Sequence, residues 1–169
     1  MKFSELVLKP EISKALNEMG YEHLTPIQKE TIPHILEGRD LVGLAETGSG
    51  KTSACGIPLI QMVDPTLREV QALILVPTRE LAQQYVAELA EIARYTEVAP
   101  FAMFGGFDMD IQRAKLKHRV HILVATPGRL IDYLWNNPLS FSHIRTIVLD
   151  EADEMLKMGF YENVDFIHS

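Results

Sequence analysis

A single cysteine, Cys55, stands in the whole chain, so no disulfide forms within it and no cysteine-rich zinc site can be built. That usage fits a reducing compartment, and the cytoplasm is the expected location. Basic residues are in deficit as well: 16 Lys and Arg against 23 Asp and Glu leave a net charge of −7, so no general positive field draws the molecule onto a polyphosphate. Any contact with nucleic acid must then be local. No apolar run approaches the roughly 18 residues of a membrane span, and the start "MKFSELVLKP" carries charges where a secretory signal has its apolar stretch. A soluble protein with no membrane partner is expected. The one tryptophan, Trp135 in "RLIDYLW", falls at core-like helical spacing and reads as packing rather than as a platform for stacked bases. His118 and His121 have no further ligands at metal spacing, and surface or edge positions are expected for them rather than a zinc site.

What is present is apolar material for one core: 47% of 169 residues is enough for one packed domain and too little for two. In "PEISKALNEMG", Ile12, Ala15, Leu16 and Met19 recur at helical spacing between Pro10 and Gly20. A second helix is expected from Thr25-Pro26 to near Gly38, bent by Pro33. Five short apolar runs follow and each reads as a buried strand: "LVGLA" (41–45), "ALILVP" (72–77), "PFAMF" (100–104), "HILVAT" (121–126) and "TIVLD" (146–150). Helical patterns separate them, clearest in "RELAQQYVAELAEIARY", where Leu81, Tyr85, Leu89 and Ile92 mark one face. Strands alternating with amphipathic helices predict an α/β fold, a mostly parallel sheet with helices on both faces, whose ligands sit beyond the carboxyl ends of the strands. No internal repeat, low-complexity tract or linker interrupts it.

Chemistry is therefore sought just after each strand. After the first comes "AETGSGKT", Ala45, Glu46, Thr47, Gly48, Ser49, Gly50, Lys51 and Thr52. Its glycines let backbone N–H groups turn inward on phosphate oxygens, and the helix that follows points its positive end at the same place. Lys51 would reach the β- and γ-phosphates and Thr52 would offer its hydroxyl to Mg²⁺. The strict phosphate-loop pattern has glycine where this chain has Ala45. The bland alternative is a glycine-rich turn with a solvated lysine. "TIVLDEAD" supplies the acidic partner: Asp150 ends a strand and can hold Mg²⁺ through water, Glu151 can orient or deprotonate an attacking water, and Ala152 and Asp153 complete the motif. The competing explanation is an acidic first turn of a helix.

Three further segments follow strands and offer hydroxyls, close-approach glycines or a helix start to phosphate oxygens: Pro77, Thr78 and Arg79; Gly105 and Gly106; and Thr126, Pro127, Gly128 and Arg129. Capping by the two threonines and pairing of the arginines with carboxylates such as Glu80 would explain the same residues. Contacts of the first kind read backbone and 2′-hydroxyls, which implies RNA, single-stranded or duplex, bound without regard to sequence. Likewise Thr25-x-x-Gln28 is by spacing a capping box.

In their order and separations, "AETGSGKT", "PTRELA" (77–82), "GG" (105–106), "TPGR" (126–129) and "VLDEAD" (148–153) resemble the first RecA-like domain of DEAD-box RNA helicases, over essentially the whole chain. The resemblance implies a RecA-like phosphate-loop NTPase fold, ATP and Mg²⁺ as cofactors, and ATP-driven local separation of RNA duplexes. It implies that residues 1–38 carry the adenine-recognition motif as part of the same domain and that 39–169 form the ATP-binding domain. "GYEHLTPIQ" (20–28) matches that motif, so Gln28, with Thr25, is implied to read the adenine edge, and Phe3 or Tyr21 to pack near the base. Leu24 departs from the family's usual proline, and Glu46 from its usual glutamine, where it adds negative charge near the phosphates. The family's Ser-Ala-Thr motif and second RecA-like domain do not follow within the 169 residues, so the chain is expected to be a monomeric fragment that binds nucleotide and hydrolyses it poorly. The second domain carries arginines whose counterparts contribute on the order of 10³ to 10⁵ in rate. The rival readings are a phosphate-loop motor acting on DNA or protein, and a nucleotide-dependent clamp on RNA or a protein that does not unwind.

Replacing Lys51 by Ala is expected to remove most of the phosphate-dependent affinity in a calorimetric titration with ATP; unchanged binding would refute the cradle.

Overall fold

Five short aliphatic runs become the five strands β1 (Leu41–Gly43), β2 (Ala72–Leu75), β3 (Pro100–Met103), β4 (Ile122–Ala125) and β5 (Thr146–Asp150). The structure, a computed structural model, describes residues 2–37, 41–43, 50–104, 114, 119–130 and 143–150, with the backbone alone for 41–43 and 51. The strands form one sheet in the order β1-β5-β2-β4-β3, and every neighbouring pair is parallel. The central strands β2 and β4 are buried at every residue, as an unbroken apolar run requires when both faces are covered. β3 departs from the expected buried strand: it closes the sheet at one edge, and three of its four residues are only half-buried.

Helix boundaries follow local chemistry. α1 (Pro10–Glu18) begins on proline and ends where Gly20 takes a φ of 79°. There the Gly20 N–H donates to the Asn17 carbonyl (3.1 Å) and the Tyr21 N–H to that of Leu16 (3.0 Å), the paired bonds of a Schellman motif. This stop aims Tyr21 back toward the domain. α2 (Pro26–Leu36) starts with the full capping box of Thr25 and Gln28 and runs on through Pro33, which lacks the N–H that would reach the Lys29 carbonyl. α3 (Lys51–Met62) starts after Gly50, and α4 (Arg79–Ile92) after Thr78, whose hydroxyl accepts from the Leu81 N–H (3.2 Å).

Strand alternation then sends side chains into two layers. Ala72, Ile74, Ile122, Val124 and Val148 meet Ile12 and Leu16 of α1, Cys55 and Leu59 of α3, and Tyr85, Leu89 and Ile92 of α4. Leu73, Leu75, Leu123 and Ala125 pack on the other face with Val70, Val120 and Leu130. Each fully buried aliphatic side chain contributes about 1.5–3 kcal/mol. Cys55 takes its expected place in the core. Among the described residues no helix is long and apolar enough to cross a membrane.

His121 corrects the expectation of a surface or edge position. It is fully buried just before β4, because its backbone already belongs to the sheet: its N–H donates to the Ala99 carbonyl (2.9 Å) and its carbonyl accepts from the Gln71 N–H (2.8 Å). Its ring Nδ1 accepts from the Ala99 N–H (2.9 Å), which places the ring proton on Nε2 and keeps the imidazole neutral. Burial, followed by the nearby Arg119 charge, lowers its pKa below the ordinary histidine value. The unfolded chain therefore binds the extra proton first as pH falls, and stability drops below about 6.5, the unfolded histidine value. In urea titrations between pH 7 and 5 the wild type is expected to lose more stability than a His121→Asn variant; equal losses would show that this imidazole does not set the acid response.

Candidate nucleotide site

Parallel register determines which segments meet. Gly43 pairs with Asp150, Leu75 with both Leu149 and Ala125, and Met103 with Ala125, so all five strands finish along one edge. In the sequence, five candidate segments follow those strand ends: 45–52, 77–79, 105–106, 126–129 and the one beginning at Asp150. Ala45, Glu46, Thr47, Gly48, Ser49, Gly105, Gly106, Glu151, Ala152 and Asp153 lie outside the described residues, as do His118 and Trp135. Of Lys51 the backbone is described, as the first residue of α3. Thr126 donates its N–H to the Met103 carbonyl (3.1 Å) and opens a helical turn in which its own carbonyl accepts from the Leu130 N–H (3.2 Å). Pro127 is buried in that turn, while Gly128 and Arg129 are half-buried. Arg79 lies 3.9 Å from Glu80 in an exposed pair, a contact worth about 0–1 kcal/mol that leaves the guanidinium open to solvent.

The start of α2 is fastened to the start of α3 by one side-chain amide. Gln28 is 4% exposed; its Oε1 accepts from the Thr25 N–H (2.9 Å) and its Nε2 donates to the Gly50 carbonyl (3.3 Å). Each end of the amide keeps one further valence, a lone pair on oxygen and an N–H on nitrogen. Gly50 takes a φ of 84°, and a Cβ there would lie 2.7 Å from Gln28 Nε2 and 3.1 Å from Thr25 Oγ1. Both backbone conformation and close approach therefore call for glycine. Phe3, Gly20, Tyr21, Glu22, Thr25, Gln28 and Gly50 enclose a cleft of about 360 Å³, inside the range of roughly 300–1,000 Å³ usual for small-molecule sites.

Phe3 and Tyr21 wall this cleft at a ring separation of 5.5 Å. The Phe3 N–H donates to the Glu22 carbonyl (2.9 Å), which ties the N-terminal turn (Phe3–Glu5) onto the loop before α2. The Phe3 ring is buried in the core and also forms cleft wall. The Tyr21 hydroxyl donates to Glu88 Oε1 (2.7 Å) and meets the Ser53 hydroxyl (2.8 Å), which in turn hydrogen-bonds Glu88. Burial pushes the Tyr21 phenol up to about 12; the Ser53 hydrogen bond opposes this and the Glu88 carboxylate adds to it.

On the inner side, Asp150 is 1% exposed and accepts a hydrogen bond from the Tyr85 hydroxyl. Burial raises the Tyr85 pKa most, with the Asp150 carboxylate adding to it and the Thr52 hydroxyl lowering it. Hard oxygen donors of this kind, one carboxylate and one hydroxyl, suit Mg²⁺, which takes few protein ligands and completes its shell with water and phosphate oxygens. The roles of Tyr85, Ser53 and Glu88 were not read from the sequence. Tyr85 was legible as a helix-face residue, and its hydroxyl was the overlooked signal, because a tyrosine on a buried face needs a polar partner.

A family model described as DEAD/DEAH box helicase matches residues 25–169. The ATP-dependent RNA helicase CshA of Limosilactobacillus reuteri is 48% identical over 167 residues, covering 99% of this chain and 34% of that protein. The ATP-dependent RNA helicase DeaD of Escherichia coli K12 is 48% identical over 166 residues, 98% of this chain and 26% of its own length. The chain thus spans about a quarter to a third of the length of these relatives. The crystal structure of a DEAD box protein from the hyperthermophile Methanococcus jannaschii superposes with a TM-score of 0.91 at 38% identity, over 99% of this chain and 46% of that one.

Gly50→Ala is expected to lower stability by about 1–3 kcal/mol through a left-handed alanine and a displaced Gln28 amide; an unchanged thermal midpoint would contradict that packing.

Proposed function

From the premise that the chain belongs to the DEAD/DEAH box helicase family, we propose that its 169 residues are the ATP- and RNA-binding half of a two-domain motor that locally separates RNA duplexes. Residues 1–38 and 39–169 act as one RecA-like domain, the first part closing over the base and the second holding phosphates and metal. The observation that carries this reading is the pairing of Gly43 with Asp150, which sets the strand feeding 45–52 beside the strand that ends in a buried carboxylate.

In this reading Gln28 spends its spare lone pair and N–H on the donor and acceptor of the adenine edge, while Phe3 and Tyr21 flank the base. Backbone N–H groups of 45–50 and the ammonium of Lys51 neutralise the phosphates, helped by the N-terminus of α3. Thr52 and Asp150 hold Mg²⁺, Asp150 through water, and the ion when bound supplies charge neutralisation at the β- and γ-phosphate oxygens. Glu151 orients the attacking water. Pro77, Thr78, Arg79, Gly105, Gly106, Thr126, Pro127, Gly128 and Arg129 form the RNA track along the same strand edge, contacting backbone and 2′-hydroxyls without regard to base. The net charge of −7 confines affinity to this track and makes it sensitive to salt. A second RecA-like domain supplies the charge that hydrolysis requires, so these residues alone bind nucleotide and turn it over slowly.

Gln28→Glu separates base reading from capping, because glutamate keeps the oxygen that accepts from the Thr25 N–H and loses the amide donor. Competition binding of ATP against GTP is expected to show a preference for ATP that shrinks at least about fivefold, a loss of about 1 kcal/mol, in the variant. An unaltered ratio would return Gln28 to a purely capping role. Joined to a second RecA-like domain, the chain is expected to hydrolyse ATP faster with single-stranded RNA than with DNA of equal length. Equal stimulation would favour a general nucleic-acid motor, and RNA binding without duplex separation would favour a clamp.

A further inference from the structure

Tyr85 lies on the buried face of α4, 1% exposed, and its neighbours on that face are the aliphatic Leu89 and Ile92. Packing alone would be served by phenylalanine there, yet the hydroxyl donates to Oδ2 of Asp150, the buried carboxylate assigned to Mg²⁺. A phenol has one proton, and here it goes to the carboxylate.

The direction of that proton has a chemical consequence. A carboxylate free to rotate would present either oxygen to a cation and its waters. Tying Oδ2 of Asp150 to the phenol fixes the plane of the carboxylate. We propose that Tyr85 is a positioning residue whose single hydroxyl holds the Asp150 carboxylate in the orientation that receives Mg²⁺. This rests on the nucleotide site described above and adds to it a residue outside the phosphate loop and the acidic motif. It also gives α4 two functions, because the helix that begins at Thr78 and Arg79 on the RNA track carries the metal-site tyrosine less than two turns further on.

The test uses a fluorescent ADP analogue titrated against the wild type, Tyr85→Phe and Tyr85→Leu, first in EDTA and then with increasing Mg²⁺. Affinity in EDTA is expected to agree within about twofold for wild type and Tyr85→Phe, while the Mg²⁺ concentration giving half the metal-dependent tightening rises about five- to twentyfold in Tyr85→Phe, the loss of one hydrogen bond to a charged group. On an Asp150→Asn background the same Phe substitution is expected to cause no further shift, because the tyrosine acts through that carboxylate. A role in packing alone predicts that Tyr85→Leu alters the Mg²⁺ dependence and Tyr85→Phe does not, and that result would overturn the proposal. So would additive effects of Tyr85→Phe and Asp150→Asn. If nucleotide binding by the wild type is indifferent to Mg²⁺, the metal assignment of Thr52 and Asp150 fails first and takes this inference with it.

Discussion

Everything at the site depends on the parallel pairing of β1 with β5. Gly43 opposite Asp150 puts the end of one strand, from which 45–52 departs, next to the end of another that delivers a carboxylate into a nearly waterless position. A shift by one residue would turn Asp150 to the other face of the sheet, since side chains alternate along a strand. The register is held by the apolar core on both faces: Val148 packs with α1, α3 and α4, and Ile147 and Leu149 pack with the opposite layer. Function here is a by-product of hydrophobic registration, because the same burial that stabilises β5 fixes where its last side chain points.

Around that pairing the domain uses hydrogen-bonding side chains as spacers between elements. Gln28 joins α2 to the left-handed residue before α3; Tyr21, Ser53 and Glu88 join the loop before α2 to α3 and α4; Tyr85 joins α4 to β5. Each is buried or half-buried and each has its partners, so a displacement of one element leaves a polar group unsatisfied at a cost of about 1–3 kcal/mol. Such contacts are directional where apolar packing is not. They give the cleft beside Gln28 and the surroundings of Asp150 fixed shapes even though α3 and α4 are held to the sheet chiefly by aliphatic contact.

The fold was legible because it is written in periodicity. Unbroken apolar runs gave all five strands, with 146–150 matched residue for residue and the ends of β2, β3 and β4 trimmed by one or two residues, and the stop at Gly20 and the start at Thr25 were visible as capping chemistry. The order β1-β5-β2-β4-β3 was not, since strand order is set by which faces pack after collapse and no local pattern records it. Nor was the half-exposure of β3, which follows from its edge position. Gln28 illustrates an ambiguity that spacing cannot resolve: the capping box is present, and the same amide has valences left over. His121, the first residue of the run 121–126, was expected at a surface or edge position because an imidazole at a strand end reads as solvated, whereas its ring serves as a backbone acceptor inside the sheet. Tyr85, Ser53 and Glu88 each reach a partner at least 32 positions away, beyond any local pattern.

The central claim is that the triphosphate of an adenine nucleotide lies against residues 45–52 with its magnesium between Thr52 and Asp150. A crystal structure of the chain with Mg²⁺ and a non-hydrolysable ATP analogue tests it most directly. The account predicts phosphates capped by the first turn of α3, the base in the cleft between Phe3, Tyr21 and Gln28, and a metal-bound water on Asp150. Nucleotide bound elsewhere, with that loop empty and the Asp150 carboxylate facing no metal, would contradict it.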